Sequence, residues 1–158
     1  MSPLRILVCL ALFSGTAAPA AADDLLKPAF SVGFSYPLVF SVSLGAMLPL
    51  GAQEKDVFIA TTTSLRVDGE VGLGGGSLGA GVYVPVRFFT VSLKAVRMRT
   101  WLWTWNEEKN RTFDGGVVEL AMPSMHGGPK IALGSFKDRE PLNGARESFT
   151  YVFLGVGW

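Results

Sequence analysis

The chain of 158 residues carries 14 Lys and Arg, 13 Asp and Glu, one His and one Cys, which gives a formal net charge of +1. It therefore lacks the basic excess that is typical of nucleic-acid-binding proteins. Hydrophobic residues make up 49% of the chain. After the first 22 residues, however, no apolar run reaches the roughly 18 residues of a membrane-spanning helix. With 19 Gly and nine Pro, we expect one all-β domain in which apolar and polar residues alternate.

The first 22 residues have the pattern of a secretory signal peptide. Arg5 precedes the apolar run 6–13, and small residues lead to an A-x-A cleavage site at 20–22. The run is too short to span a bilayer as a helix. We expect cleavage after Ala22, which leaves a single domain of residues 23–158. Because Cys9 lies in the signal peptide, the mature chain is expected to hold no disulfide and no thiolate metal site.

The first segment of the mature chain alternates almost perfectly. From Phe30 to Leu48 the even positions are apolar, while most odd positions are Ser, Gly or another small residue. Pro37 lies in the middle and cannot donate to a strand ladder. Two interpretations stay open: one long bent strand, or two strands joined by an odd-length turn near Pro37. A two-residue hairpin would reverse the parity, which is kept here.

The alternation continues to the end of the chain. Further strands are predicted within 57–73, 78–84, 89–99, 117–122, 130–134 and 148–158, separated by turns and polar loops. If the first segment forms two strands, the total is eight. Eight antiparallel strands, an even number, can close a small up-and-down β-barrel.

Charged residues concentrate on the face opposite the apolar stripe. The predicted lumen-facing polar network consists of Arg66, Asp68, Glu70, Lys94, Arg97, Arg99, Glu119 and Lys130. Because a charge facing mid-bilayer costs about 2–4 kcal/mol, Arg97 and Arg99 demand either a bulge at 95–96, which would keep both off the lipid, or a location beyond the bilayer edge. The interior of an eight-stranded barrel is just wide enough to be filled by side chains. We therefore interpret the network as a salt-bridged plug rather than a polar path or ligand cleft.

Two aromatic patterns mark strand ends. Trp101, Trp103 and Trp105 alternate beside the charged loop 106–112, which is typical of an interfacial aromatic girdle. The last strand presents an alternating stripe made of Val152, Leu154, Val156 and Trp158.

Together with the signal peptide and the alternating strands, these patterns resemble a bacterial outer-membrane β-barrel. In that family, a last strand that ends on Phe or Trp resembles the signal read by the barrel-insertion machinery. The resemblance implies a location in the outer membrane, contact with outer-membrane lipid, and contact with that machinery during biogenesis. No residue pattern indicates a cofactor, and the resemblance leaves the oligomeric state open.

Three functions follow from these observations. The leading one is an integral outer-membrane barrel with a structural or surface-interaction role and no catalysis. The first alternative is a soluble periplasmic or secreted barrel that encloses an apolar ligand, in which the stripes would face inward. The second is an outer-membrane lipid-modifying hydrolase that uses His126, with Ser124 as nucleophile and Glu119 or Glu140 as the orienting acid. Lipid A deacylases carry an aromatic-containing His-x-Ser segment, whereas here Ser124 precedes His126 and two glycines follow, which favours a turn.

Overall fold

The computed structural model of the protein describes residues 26–51, 62–101, 111–122, 124, 127–139 and 148–157. These residues form eight strands: β1 (Lys27–Tyr36), β2 (Val39–Pro49), β3 (Ser64–Gly72), β4 (Gly75–Val86), β5 (Phe89–Thr100), β6 (Thr112–Ala121), β7 (Gly128–Asp138) and β8 (Ser148–Gly157). Consecutive strands pair antiparallel, and β1 pairs with β8 to close the barrel. The predicted eight-stranded up-and-down barrel is confirmed. The predicted signal peptide, residues 1–22, lies outside the described residues.

The barrel has two ends that later sections distinguish. The upper end carries the β1–β2 and β3–β4 turns and the chain between β5 and β6 and between β7 and β8. The lower end carries the β4–β5 turn and the chain between β2 and β3 and between β6 and β7. Within the ranges given above, the structure holds no α-helix with the length and hydropathy that a membrane-crossing helix requires.

The turn between β1 and β2 settles the question left open by the alternation around Pro37. Ser35 is in register with Val39, so three residues separate the paired positions. The parity is therefore kept across the turn, and Phe34 and Phe40 both face outward with their rings 5.7 Å apart. The first segment is two strands joined by an odd-length turn.

Alternation divides every strand into an outer and an inner face. The inner positions are small, polar or charged over the middle of the barrel, and they are buried. The outer positions carry large apolar side chains that stay exposed. This is the reverse of a soluble β-barrel, in which the apolar face fills the interior.

The predicted bulge in β5 is wrong. The register of β5 with β4 runs without interruption from Gly75↔Thr100 to Val86↔Phe89, and the register with β6 is likewise continuous. An unbroken ladder keeps the parity, so Met98 is buried inside while Arg97 and Arg99 face outward. Those two residues do not belong to the lumen-facing network.

Strand β4 leaves room for the long charged side chains of its neighbours. Two of its inward positions are Gly79 and Gly81, and Gly81 is in register with both Arg66 and Lys94. A Cβ at Gly79 would lie 3.2 Å from the Asp68 carboxylate. Small residues on β4 thus make space for the charges on β3 and β5.

Substituting alanine for Gly81 should lower the free energy of unfolding by about 1–3 kcal/mol, as overpacking does. The added Cβ would press against the carbonyl oxygen of Leu93 and lie 2.7 Å from the Cα of Lys94. Gly116→Ala is the matched control, because its Cβ would be 3.8 Å from the nearest atom, the carbonyl oxygen of Lys94. Urea unfolding of both variants under the same conditions measures the difference, and equal stabilities would contradict the packing argument.

Candidate functional site: a charged interior between two apolar layers

The middle of the barrel is occupied by a group that we call the interior charge cluster. Its members are Arg66 and Asp68 on β3, Lys94 on β5, Glu119 on β6 and Lys130 on β7. All five point inward because each occupies the parity opposite the apolar stripe of its strand, and all are buried. Four separate strands therefore bring three cations and two carboxylates to one place.

Glu119 is the centre of this cluster. Its Oε1 lies 2.6 Å from the Nζ of Lys94 and 3.1 Å from the Nζ of Lys130, and its Oε2 lies 3.1 Å from Nη1 of Arg66. Each of the three cations of the cluster is thus held by the same carboxylate. Burial removes the water that would otherwise solvate these charges, so the barrel depends on Glu119 to balance them.

Asp68 supplies the second carboxylate. Its Oδ2 lies 2.6 Å from Nη2 of Arg66 and 2.9 Å from the Nζ of Lys94. Lys94 and Arg66 are therefore each shared between Asp68 and Glu119. The result is a closed set of contacts across β3, β5 and β6 rather than a row of isolated pairs.

Glu70 lies closer to the upper end and is held by hydroxyl groups. The Oγ atoms of Ser41 and Ser35 donate to its Oε1 at 2.5 and 3.1 Å, and the Tyr151 hydroxyl donates to its Oε2 at 2.8 Å. Together with the interior charge cluster, Glu70 makes three carboxylates against three cations. Lys130 additionally donates to the Oγ of Ser31 at 3.2 Å.

Above the charges lies a group that we call the upper apolar layer. Its members are Leu38, Met98, Phe113, Phe136 and Phe149. The Phe136 ring stacks on Phe149 with centroids 5.3 Å apart, and Phe113 meets Phe149 edge-on at 4.9 Å. Leu38, which comes from the β1–β2 turn, is fully buried. Beyond this layer, Arg111 pairs with Asp138 at the top of the barrel.

A smaller apolar group, Ala29, Met47 and Tyr83, lies toward the lower end. Between the two apolar groups, the cavities found beside the charges are about 10 Å³ each, which is roughly the space of one water molecule. Neither of these two cavities has room for a substrate. The described carboxylates of the interior each hold a cation or a hydroxyl group, so the arrangement serves to pack and to pair charges.

The chain matches no protein-family model, no curated protein and no solved structure. The site therefore has to be interpreted from its own geometry. In the described part of the chain, no group of three or more His, Cys, Asp and Glu side chains is arranged to hold a metal ion.

The structure places the residues predicted from sequence in different parts of the barrel. The structure brings six of them into the interior: Arg66, Asp68, Glu70, Lys94, Glu119 and Lys130. It places two, Arg97 and Arg99, on the outer face. Trp101 is exposed near the upper end, whereas Trp103, Trp105, Trp158, His126 and Glu140 lie outside the described residues. Ser124 is exposed and its Oγ donates to the Gly127 carbonyl at 2.9 Å, as expected of a turn residue.

Sequence reasoning missed the polar partners of the charges. Ser35, Ser41 and Tyr151 hold Glu70, and Ser31 contacts Lys130. The alternation of apolar and polar positions along each strand could have identified these residues. These residues occupy odd positions in strands whose apolar stripe is even, which places them on the same inner face as the charges.

Proposed function

We propose that the protein is a small integral β-barrel of the bacterial outer membrane, with a structural or surface-interaction role and without catalysis. The observation that carries this proposal is the exposed apolar outer face. It includes at least one large exposed side chain on every strand: Phe34, Val42, Leu65, Leu78, Leu93, Val118, Leu133 and Leu154. The apolar surface therefore surrounds the barrel.

The size of this surface favours lipid over water as its surroundings. Soluble monomers rarely expose a contiguous apolar patch of more than a few hundred Å². Transfer of apolar surface from water is worth about 25 cal/mol per Å². Leu133 and Leu78 are each about 60% exposed, and side chains of this kind recur around the whole circumference. A bilayer core satisfies this face, and a closed barrel leaves no unpaired strand edge within it.

The interior argues against the soluble, ligand-enclosing alternative. That alternative needs the apolar stripes to face inward and a cavity large enough for a ligand. Here the charges face inward, and the cavities beside them hold about 10 Å³ each. A plug of paired charges between two apolar layers instead supports a barrel that is stiff and closed to ions.

The last strand supports contact with the insertion machinery during biogenesis. Val152, Leu154 and Val156 lie on the outer face of β8 and are exposed. β8 also closes the barrel by pairing with β1. This stripe is therefore presented on the strand that completes the barrel.

Expression of the full chain in a Gram-negative host tests the membrane location. We expect the protein in the membrane fraction, extracted only by detergent, and migrating differently on a gel before and after boiling, because the closed barrel resists unfolding by detergent. In planar bilayers we expect no steady ion conductance. Recovery in the soluble fraction without detergent would overturn the membrane location, and a steady conductance would overturn the sealed interior.

Leu93→Arg gives a quantitative form of the same test. A charge in the middle of the outer face should lower the free energy of unfolding in lipid vesicles by about 2–4 kcal/mol. Ser148→Arg is the control: it adds the same charge at the first residue of β8, which is exposed at the upper end in register with Lys137, where the cost falls to about 0–1 kcal/mol. If the two variants were equally stable, the outer face would not be in contact with a bilayer core.

A further inference from the structure

The outer face of the barrel carries its charges almost entirely at the upper end. Four basic residues are exposed there and form what we call the basic rim: Arg97, Arg99, Lys137 and Arg139. Asp114 is the one exposed carboxylate among the described residues of this region. At the lower end, Arg87 is the one exposed charged residue that the structure describes.

The basic rim is compact because three neighbouring strands align it. Arg97, Asp114 and Lys137 are consecutive across β5, β6 and β7. Two residues further along β5, Arg99 is in register with Thr112. The carbonyl of Thr112 accepts a hydrogen bond from the backbone N–H of Arg139, so Arg139 lies near Arg99. Among the described residues of this patch, four cations and one carboxylate leave an excess of three positive charges.

Asp114 orients Arg97 within the rim. The Nε and Nη2 atoms of Arg97 donate to the two carboxylate oxygens of Asp114 at 2.7 and 3.3 Å. Both side chains remain about half exposed. Among the described residues, no carboxylate forms an ion pair with Arg99 or Lys137.

An apolar groove begins directly below the Arg97–Asp114 pair. Its volume is about 390 Å³, and its remaining walls are apolar: Val67, Leu78, Gly79, Ala80, Ala95, Val96 and Gly115. The groove exists because its floor consists of small residues, whereas Val67 and Leu78 rise beside it. A chain-like apolar ligand that lies in this groove would have its polar end at the basic rim.

We propose that this site binds an anionic membrane lipid, with its phosphate at the basic rim and one acyl chain in the groove. The inference rests on the proposed membrane location. Arginine and lysine recognise phosphate through charge-assisted hydrogen bonds, which are stronger than neutral ones. The charge excess selects an anionic headgroup, and the groove selects a molecule that carries an apolar chain. Arg97 and Arg99 then lie at the edge of the bilayer, where a charge on the outer face costs little.

Native mass spectrometry of the detergent-solubilised barrel tests this site. The probes are dilauroylphosphatidylglycerol and dilauroylphosphatidylcholine, which share their chains and differ in headgroup charge. We expect at least tenfold stronger retention of the phosphatidylglycerol. Arg99→Gln should weaken that retention about fivefold, as expected for one basic residue near a lipid surface. Arg87→Gln, which removes the same charge at the lower end, should leave it unchanged.

A second pair of variants tests the groove separately from the charge. Ala95→Phe fills the groove and keeps every charge of the basic rim, so phosphatidylglycerol retention should fall about fivefold or more. Val84→Phe adds the same ring to the outer face of β4 away from the groove and should have no effect. Glycerol phosphate, which has no acyl chain, should bind at least tenfold more weakly than the lipid.

The outcomes separate this inference from the proposed function. Equal retention of the two lipids, or equal effects of Arg99→Gln and Arg87→Gln, would overturn the lipid site. Glycerol phosphate that binds as tightly as the lipid would show an anion site without an acyl chain and would also overturn it. If the barrel inserts into vesicles but retains phosphatidylglycerol and phosphatidylcholine equally, only the lipid site is refuted. If the barrel stays soluble without detergent, the membrane location is refuted.

Discussion

Replacement of Glu119 by glutamine should lower the free energy of unfolding by about 3–5 kcal/mol, which is the loss typical of breaking a buried ion pair on one side. Glu119 contacts Arg66, Lys94 and Lys130 at distances of 2.6–3.1 Å. Glutamine has nearly the same shape but no charge, so the packing is kept while three buried cations lose a shared carboxylate. Asp68 then remains as the one carboxylate of the interior charge cluster.

Urea unfolding in lipid vesicles, monitored by the change in fluorescence, measures this loss. Asp114→Asn is the matched control, because it removes a carboxylate from the exposed pair with Arg97, where water and salt replace the lost interaction. Its stability should stay close to that of the unmodified protein. The double variant Glu119→Gln with Lys130→Met removes one cation together with the carboxylate and should recover part of the loss. Similar stabilities for the Glu119 and Asp114 variants would show that the interior charges are solvated.

Much of the fold was predictable because a single physical rule governs it. A closed barrel pairs every strand on both edges, and its two faces meet different surroundings, so residues of opposite parity differ in character. That rule alone places Arg66, Asp68 and Glu70 on one side of β3 and Leu65 and Val67 on the other. It also predicts eight strands once the turn near Pro37 has an odd length.

The same rule led to the error at Arg97 and Arg99. Placing both arginines inside assumed that β5 lies within the bilayer along its whole length, and a bulge was then required. The strand instead keeps its register, and Met98 fills the interior between the two arginines. Alternation shows which residues share a face, but it does not show where along a strand the surroundings change.

Alternation along the strands did not predict the upper apolar layer either. Phe113 and Phe136 occupy inner positions, where alternation predicts polar residues, and Leu38, at an even position of the first segment, points inward from the β1–β2 turn. Their role depends on contacts between residues far apart in the chain, such as Leu38 with the β6 and β7 side chains of the same core. Periodicity within one strand carries no information about such contacts, so the seal above the charges became visible only in the closed barrel.

Phe136→Ala should be the most damaging apolar substitution, with a loss of about 3–5 kcal/mol in the free energy of unfolding. Phe136 is fully buried, stacks on Phe149 and meets the edge of Tyr151 with centroids 5.9 Å apart. Removing its ring leaves a cavity beside the ring of Tyr151, whose hydroxyl donates to Glu70. The loss therefore combines the lost free energy of burying the ring, the cost of the cavity that remains, and weaker packing around Tyr151, which donates to the carboxylate of Glu70.

Leu133→Ala on the same strand is the control for this substitution. Leu133 faces outward and is 58% exposed, so its truncation leaves no enclosed cavity. The loss should be clearly smaller than that of Phe136→Ala when both are unfolded by urea in vesicles of the same lipid. Equal losses would mean that the upper apolar layer is no better packed than the exposed outer face. Because a tight layer at this position keeps water from the charges below, that result would also argue against a sealed interior.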